Sequence, residues 1–402
     1  MSQPHTPQLR ATLRWALLLG SIGLGLVFAA VLWLSSGDAP PAADVVTDAP
    51  TCLGDDPHVV SLSPVGDVCF PQVPRRVVTL DAHYNDALVT FAQDDKLVAT
   101  GFEGNLYDGF YDALPGVESR IDAEALPYVG PGLDKEALYA LKADVHHIDP
   151  ERLLRGGRWK REDIDEIARN VGPFFANRFS RTHGYKGAEP YTYYTAWELA
   201  ERVGEVYRQG EKARRLAAAY ARMVEQIQAK LPPVEERPSV GLIIYSRGRF
   251  TPYNLSQEGF GTAQYRAVGA RDAFASIKDR TYADHGPGAN LDLEGLLALD
   301  PDVLIMPFAL YPSFQERLDA LKALSTDPLA RRLKAIREGR VYPGGSPLQG
   351  PIFLLFQTEM AAKQIYPERF GPFRPDHTYP KEQQLFDRAE VARILRGEGG
   401  RR

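Results

Sequence analysis

The chain has 402 residues, 44% hydrophobic, 25% charged and 10% aromatic, a composition that supports a packed core and excludes a disordered chain. Lys+Arg 47 against Asp+Glu 52 leaves a net charge of −5, so nothing marks a nucleic-acid binder. Two cysteines are too few for a disulfide-dense scaffold or a four-thiolate zinc site, and a single long apolar stretch excludes a polytopic membrane transporter.

That stretch runs from Trp15 to Ser36 without a charge, and about 20 apolar residues suffice to cross the hydrocarbon core. Arg10 and Arg14 precede it, whereas Asp38, Asp44, Asp48, Asp55, Asp56 and Asp67 follow with no Lys or Arg before Arg75. The positive-inside rule therefore predicts a single-pass cell-membrane protein with its body on the extracytoplasmic side. Cleavage at Ser35-Ser36-Gly37 would instead make it a signal peptide and release a secreted body. Residues 1–36 form this segment, and residues 37–57, rich in Ala, Pro and Asp, read as a spacer.

Cys52 and Cys69 flank an apolar pattern around Ser63-Pro64-Val65-Gly66-Asp67, which predicts a hairpin closed by a disulfide, with two free buried thiols as the alternative. Further on, an internal repeat aligns Leu133-Asp-Lys-Glu-Ala-Leu-Tyr-Ala-Leu-Lys-Ala-Asp-Val145 with Leu291-Asp-Leu-Glu-Gly-Leu-Leu-Ala-Leu-Asp-Pro-Asp-Val303. Each copy opens with an Asp suited to an N-cap, continues at helical spacing and turns into an apolar strand. Two copies so far apart imply two similar α/β lobes rather than a solenoid. The predicted order is an N-terminal lobe over 58–194, a linking helix over 195–233, a C-terminal lobe over 234–372 and a polar tail over 373–402. The linking helix, weakened at Gly210 and stopped by Pro232-Pro233, reads as a stiff spine that limits motion between the lobes.

Val68-Cys-Phe-Pro-Gln-Val-Pro-Arg-Arg-Val-Val-Thr-Leu80, with the doubled Leu-x-x-Glu-x-Leu-x-x-Leu-x-x-Asp-Val segment and the helical spine, resembles the substrate-binding proteins of iron-siderophore and cobalamin ABC importers. The resemblance covers about residues 58–370. It implies a ligand cleft between the lobes, a ferric siderophore or similar metal chelate as ligand, ABC permease subunits as partners, and neither enzymatic activity nor a cofactor. Cobalamin or haem binding by the same fold is an alternative, as is an extracytoplasmic sensor or docking module without transport. The chain departs from the resemblance in lacking a lipidation cysteine and in carrying extra sequence at Thr182–Tyr194. The resemblance also places permease docking at Glu136 and Glu294, in the first turns of the repeated helices.

Ligands of open α/β sheets sit beyond the carboxyl ends of the strands. That rule selects Tyr84, Phe102, Tyr107, Tyr128, His147 and Arg178 in the first lobe, and Arg249, Tyr253 and Phe308 in the second. Aromatic faces would cover the apolar parts of a chelate and the two arginines its negative charge. No protein metal centre is expected: His146 and His147 point to opposite faces of a strand, and a structural role suits them, His83 and His285. No Gly-x-Ser-x-Gly elbow, Walker loop or His-Glu-x-x-His motif favours an enzyme.

Overall fold

The structure is a computed structural model that describes residues 52–399, apart from 102–106, 131 and 283–289. The apolar run at 15–36 and most of the spacer lie outside the described residues. Among the described residues no helix is long and apolar enough to cross a membrane.

The chain opens with an antiparallel hairpin, β1 (His58–Leu62) and β2 (Gly66–Phe70), paired from His58↔Phe70 to Leu62↔Gly66. His58, Val60 and Leu62 alternate inward, as a half-buried strand requires. The Cys52–Cys69 disulfide closes this hairpin.

β3 (Val77–Thr79) is buried at every residue, the pattern of a central parallel strand covered on both faces. After it come α1 (Ala82–Thr90), β4 (Leu97–Thr100), α2 (Lys135–Leu141), β5 (Val145–His147) and the short α3 (Pro150–Leu154). The sheet order is β4-β3-β5, all parallel, widened at its edges by the parallel bridges Thr100↔Tyr128 and His146↔Phe174.

The predicted helix over 195–233 is two helices. A capping box at Thr195 and Glu198 starts α4 (Ala196–Val206), and α5 (Gly210–Gln228) follows after a turn in which Arg208 takes φ 57°. The helices fold against each other: the Trp197 and Tyr220 rings lie 5.2 Å apart and Glu201 pairs with Arg214. Only α5, 19 residues and about 28 Å long, leads on to the second lobe.

That lobe contains β6 (Ser239–Ser246), β7 (Arg249–Pro252), β8 (Arg271–Asp272), α6 (Leu293–Leu299), β9 (Val303–Met306) and β10 (Val341–Pro343). Its order is β10-β9-β6-β7, with β7 antiparallel and β8 parallel to β6.

The repeat acquires a physical meaning here. Asp134 and Asp292 cap α2 and α6 by accepting the Ala137 and Gly295 N–H groups at 2.9 and 2.8 Å. Both helices end on a left-handed residue, Lys142 and Asp300. The last Asp of each copy then binds the start of its lobe's first strand: Asp144 accepts the Arg75 and Arg76 N–H groups, and Asp302 accepts the Ser239 N–H and hydroxyl.

Two elements bind the lobes together, and neither is part of the sequence expectation. α7 (Pro351–Ile365) is buried at all 15 residues and packs on α1, α4 and α5. The Asp86 carboxylate of α1 accepts the Ile352 and Phe353 N–H groups at its start, at 2.9 and 3.2 Å, and the Tyr111 hydroxyl at 2.6 Å. A Cβ at Gly350 would lie 2.4 Å from that carboxylate, so the approach requires glycine.

The tail is likewise no loose polar extension. Its helix α8 (Arg388–Leu395) contributes Val391, Ala392, Ile394 and Leu395 to the largest apolar cluster, and Arg388 forms a buried pair with Glu359 of α7. Arg396 reaches the Pro115 carbonyl of the first lobe. Polar spacing concealed this role because the helix buries only one stripe.

Asp86→Ala would leave two helix N–H groups and the Tyr111 hydroxyl buried without a partner. A loss of ~3 kcal/mol is expected, read as a lower midpoint in urea unfolding. An unchanged midpoint would show that α7 does not depend on this cap.

Candidate functional site

The carboxyl ends of the first sheet converge on one wall. Leu80 and Asp81 follow β3, Gly101 follows β4, Asp149 follows β5, and Asn177 and Arg178 follow the bridging residues at 174. Asp149 Oδ1 accepts the Glu151 N–H at 2.9 Å, while Oδ2 accepts the Arg178 N–H at 2.7 Å and the Tyr191 hydroxyl. Asp81 is buried and pairs with the Arg178 guanidinium. Arg178 is thus held from behind by two carboxylates while it lines the cleft.

The extra segment completes the wall. Asn177 Nδ2 donates to the Ser63 and Thr192 carbonyls at 2.7 and 2.9 Å, tying hairpin, loop and segment together. Tyr191 stacks on Tyr185 and lies tilted against Tyr193, and Tyr185 donates to Glu151 at 2.9 Å.

Two cavities adjoin at Arg152 and Arg178. One, about 410 Å³, lies wholly in the first lobe, bounded by Leu80, Tyr128, Leu133, Leu153, Arg158 and Trp159 among others. The other, about 540 Å³, lies between the lobes: Arg155, Arg181, His183 and Lys186 face Tyr253 and Tyr282. No carboxylate lines either cavity among the described residues. None lies in ion-pair range of Arg152, Arg155, Arg158 or Arg181 within that set. The Arg181 Nε is buried with no acceptor. Burial, with the Arg181 charge beside it, lowers Arg178 to about 9, and burial also lowers Arg181. Such a site is short of negative charge.

Of the nine residues selected from the sequence, Tyr128, Arg178 and Tyr253 line these cavities; Tyr128 is 52% exposed, and Tyr253 stacks on Tyr282 at 4.8 Å. Phe102 lies outside the described residues, as does His285. His147 requires correction as a ligand contact: it is fully buried, with Nδ1 on the Phe175 carbonyl and Nε2 on the Tyr207 hydroxyl. Tyr84 is corrected likewise, since it stacks on His147 behind the wall and its hydroxyl accepts the Asn177 N–H. Tyr107 packs on Phe110 and on His377 of the tail, Arg249 is exposed on β7, and Phe308 packs on Phe314; none lines either cavity. Glu136 and Glu294 are both exposed.

Arg152, Arg155 and Arg158 line the cavities and are not among the residues selected from the sequence. Their signal was a cation at every third residue directly beyond a strand end. Trp159, Lys186 and Tyr282 carried no comparable local signal.

Residues 145–348, just over half of the chain, match the periplasmic binding protein family. The chain belongs to that family. Solved structures of the same fold include an ABC-type Fe3+-hydroxamate transport system protein from Saccharomonospora viridis, 18% identical, TM-score 0.51, covering 78% of this chain and 99% of that one. The siderophore binding protein BauB, bound to two acinetobactin molecules and ferric iron, is 18% identical at TM-score 0.52, covering 77% and 99%. The iron uptake substrate-binding protein PiuA from Streptococcus pneumoniae is 15% identical at TM-score 0.53, covering 77% and 97%. No curated protein matches the chain.

Several buried groups near the cleft and the lobe contacts couple folding to pH. Burial, aided by Arg181 and His147, lowers His83 to about 3, and burial lowers His146, His147 and His377 to about 4. The unfolded chain takes up these protons near pH 6.5, so their contribution to stability is lost as pH falls below that value. Asp86 and Asp149, raised by burial to about 7 and about 6, act oppositely, stabilising the fold at low pH and less as pH rises. Asp108 and Asp272 shift in the same direction. The four imidazoles outnumber the two carboxyls Asp86 and Asp149 in this pH window, so the thermal midpoint is expected to fall between pH 7.5 and 5, read by differential scanning fluorimetry. A midpoint that stays level or rises would mean the histidines are not held neutral.

Proposed function

We propose that this chain is the extracytoplasmic substrate-binding component of an ABC importer, capturing a ferric siderophore or similar anionic metal chelate between its lobes. The observation that carries the reading is a cleft furnished with cations and aromatic rings and, among the described residues, no carboxylate. An anionic chelate supplies the missing counter-charge and a broad apolar surface at once. The family and the solved structures named for siderophore or iron uptake support the choice.

Haem is the second reading, favoured by one feature: His183 lies in the same cavity as the arginines that would meet the propionates. Cobalamin offers these cations less to neutralise. A sensor would bind ligand without transporting it, which an uptake assay separates. The apolar run at 15–36 would tether the body to the membrane, or direct its secretion if cleaved.

Titration calorimetry of the full-length protein in detergent, against a ferric hydroxamate, a ferric catecholate, haem and cobalamin, tests the ligand class. A ferric chelate is expected to bind, and Arg181→Ala to weaken it about tenfold or more. Failure of every compound to bind folded protein would end the proposal.

Glu136 and Glu294 are proposed to meet the permease. Both are exposed in the first turns of pseudo-equivalent helices, and among the described residues neither has an ion-pair partner. Replacing both by Ala should impair uptake and leave ligand affinity unchanged, because exposed charges act on partner association. Wild-type uptake by the double variant would reduce them to helix-start residues.

A further inference from the structure

The lobes also meet at the rim of the cleft, and the contact there differs in kind from the joint at Asp86. Thr182 and His183 open the segment that the family resemblance does not account for, and they meet Gln257 and Glu258, which follow β7 in the second lobe. His183 Nδ1 lies 3.0 Å from a Glu258 carboxylate oxygen, and Gln257 Nε2 donates to the Thr182 carbonyl at 3.2 Å. Each side is braced from its own lobe. Tyr193 stacks on the His183 ring at 4.1 Å and donates to the His183 carbonyl at 3.1 Å, supporting His183 in the left-handed region at φ 49°. Arg266 donates to the Gln257 carbonyl at 2.6 Å and to the Gly259 carbonyl. One residue inward, Gly259 takes φ 94° and a Cβ there would lie 2.4 Å from the Arg181 carbonyl, so the close approach requires glycine. Thr182, His183 and Gln257 all line the cavity of about 540 Å³, so the contact belongs to its wall.

We propose that this contact is a latch: ligand enters and leaves the cavity between the lobes when the segment at 182–194 parts from the turn at 257–258, while the lobes themselves stay joined. The proposal rests on the binding-protein reading and says how that same site is gated. Its basis is a comparison of costs. Separating the lobes would uncover the buried Ile352 and Phe353 N–H groups that Asp86 now accepts. Parting the latch uncovers little, because the Glu258 side chain is 82% exposed and water readily replaces its partner. Local opening follows the cheapest set of contacts. The braces keep each half in shape while it is open, so the latch re-forms without refolding.

Hydrogen–deuterium exchange and stopped-flow tryptophan fluorescence on the full-length protein in detergent test the latch. Glu258→Ala, at an exposed position outside the cavity lining, is expected to speed amide exchange at 183–187 and 257–259 about two- to fivefold and to leave 352–355 unchanged. Glu258→Gln, which keeps a hydrogen-bonding group without the charge, should fall between. The fluorescence arm uses a ferric tris-catecholate as probe, at high salt so that the lost charge does not itself act on the ligand. Association and dissociation should both quicken by about the same two- to fivefold, with Kd held within about twofold, because a gate acts on both directions alike. Unchanged exchange at 183–187 overturns the latch whether or not a chelate binds. Exchange that rises equally at 352–355 overturns it too, since the lobes would then loosen as a whole. Faster dissociation with unchanged association would make Glu258 a support for ligand contact and likewise overturn it. Faster exchange as expected, in a protein that binds no ferric chelate, would remove the importer reading and leave a latch between the lobes.

Discussion

The carboxylate of Asp86 is the contact on which the geometry of the cleft depends. It sits on the first helix of one lobe and takes the exposed N–H groups at the start of the buried helix at 351–365. A helix start buried without acceptors would be costly, so lobe and helix cannot separate without uncovering several donors at once. The tail adds a second clasp, with Arg388 on Glu359 at one end and Arg396 on the Pro115 carbonyl at the other. With the helix at 210–228, three connections hold the lobes.

The cleft stores its positive charge by an asymmetric arrangement of carboxylates. Asp81 and Asp149 lie behind the wall, where they fix Arg178 by its side chain and its backbone, while Arg152, Arg155, Arg158 and Arg181 face the cavities without such partners among the described residues. Crowding these cations is unfavourable by itself, as the lowering of Arg178 by burial and by Arg181 indicates. An anionic ligand of the kind proposed would relieve that repulsion.

Some of this was legible in the sequence. The repeat announced two lobes because its parts act locally: Asp134 and Asp292 cap helices three residues away, and apolar runs declare buried strands. The last Asp of each copy was visible as an identity, yet its role in holding the first strand of its lobe, 68 and 63 residues away, was not. The linking helix misled because α4 and α5 each carry sound helical spacing, while the turn between them rests on a left-handed Arg208 that no pattern marks.

The sequence by itself determined the two α/β lobes, the paired cysteines, and Tyr128, Arg178 and Tyr253 as residues beyond strand ends. Those features follow from periodicity, caps and strand polarity, which operate over a few neighbouring residues. Only the tertiary structure decided that His147 and Tyr84 are buried behind the wall, that the tail belongs to the core, and that Arg152, Arg155, Arg158 and Arg181 line two adjoining cavities. The physical reason is that hydrogen-bond satisfaction and charge proximity depend on groups far apart in the chain. A histidine is spent or available according to whether a Tyr207 hydroxyl, sixty residues on, arrives at its second nitrogen.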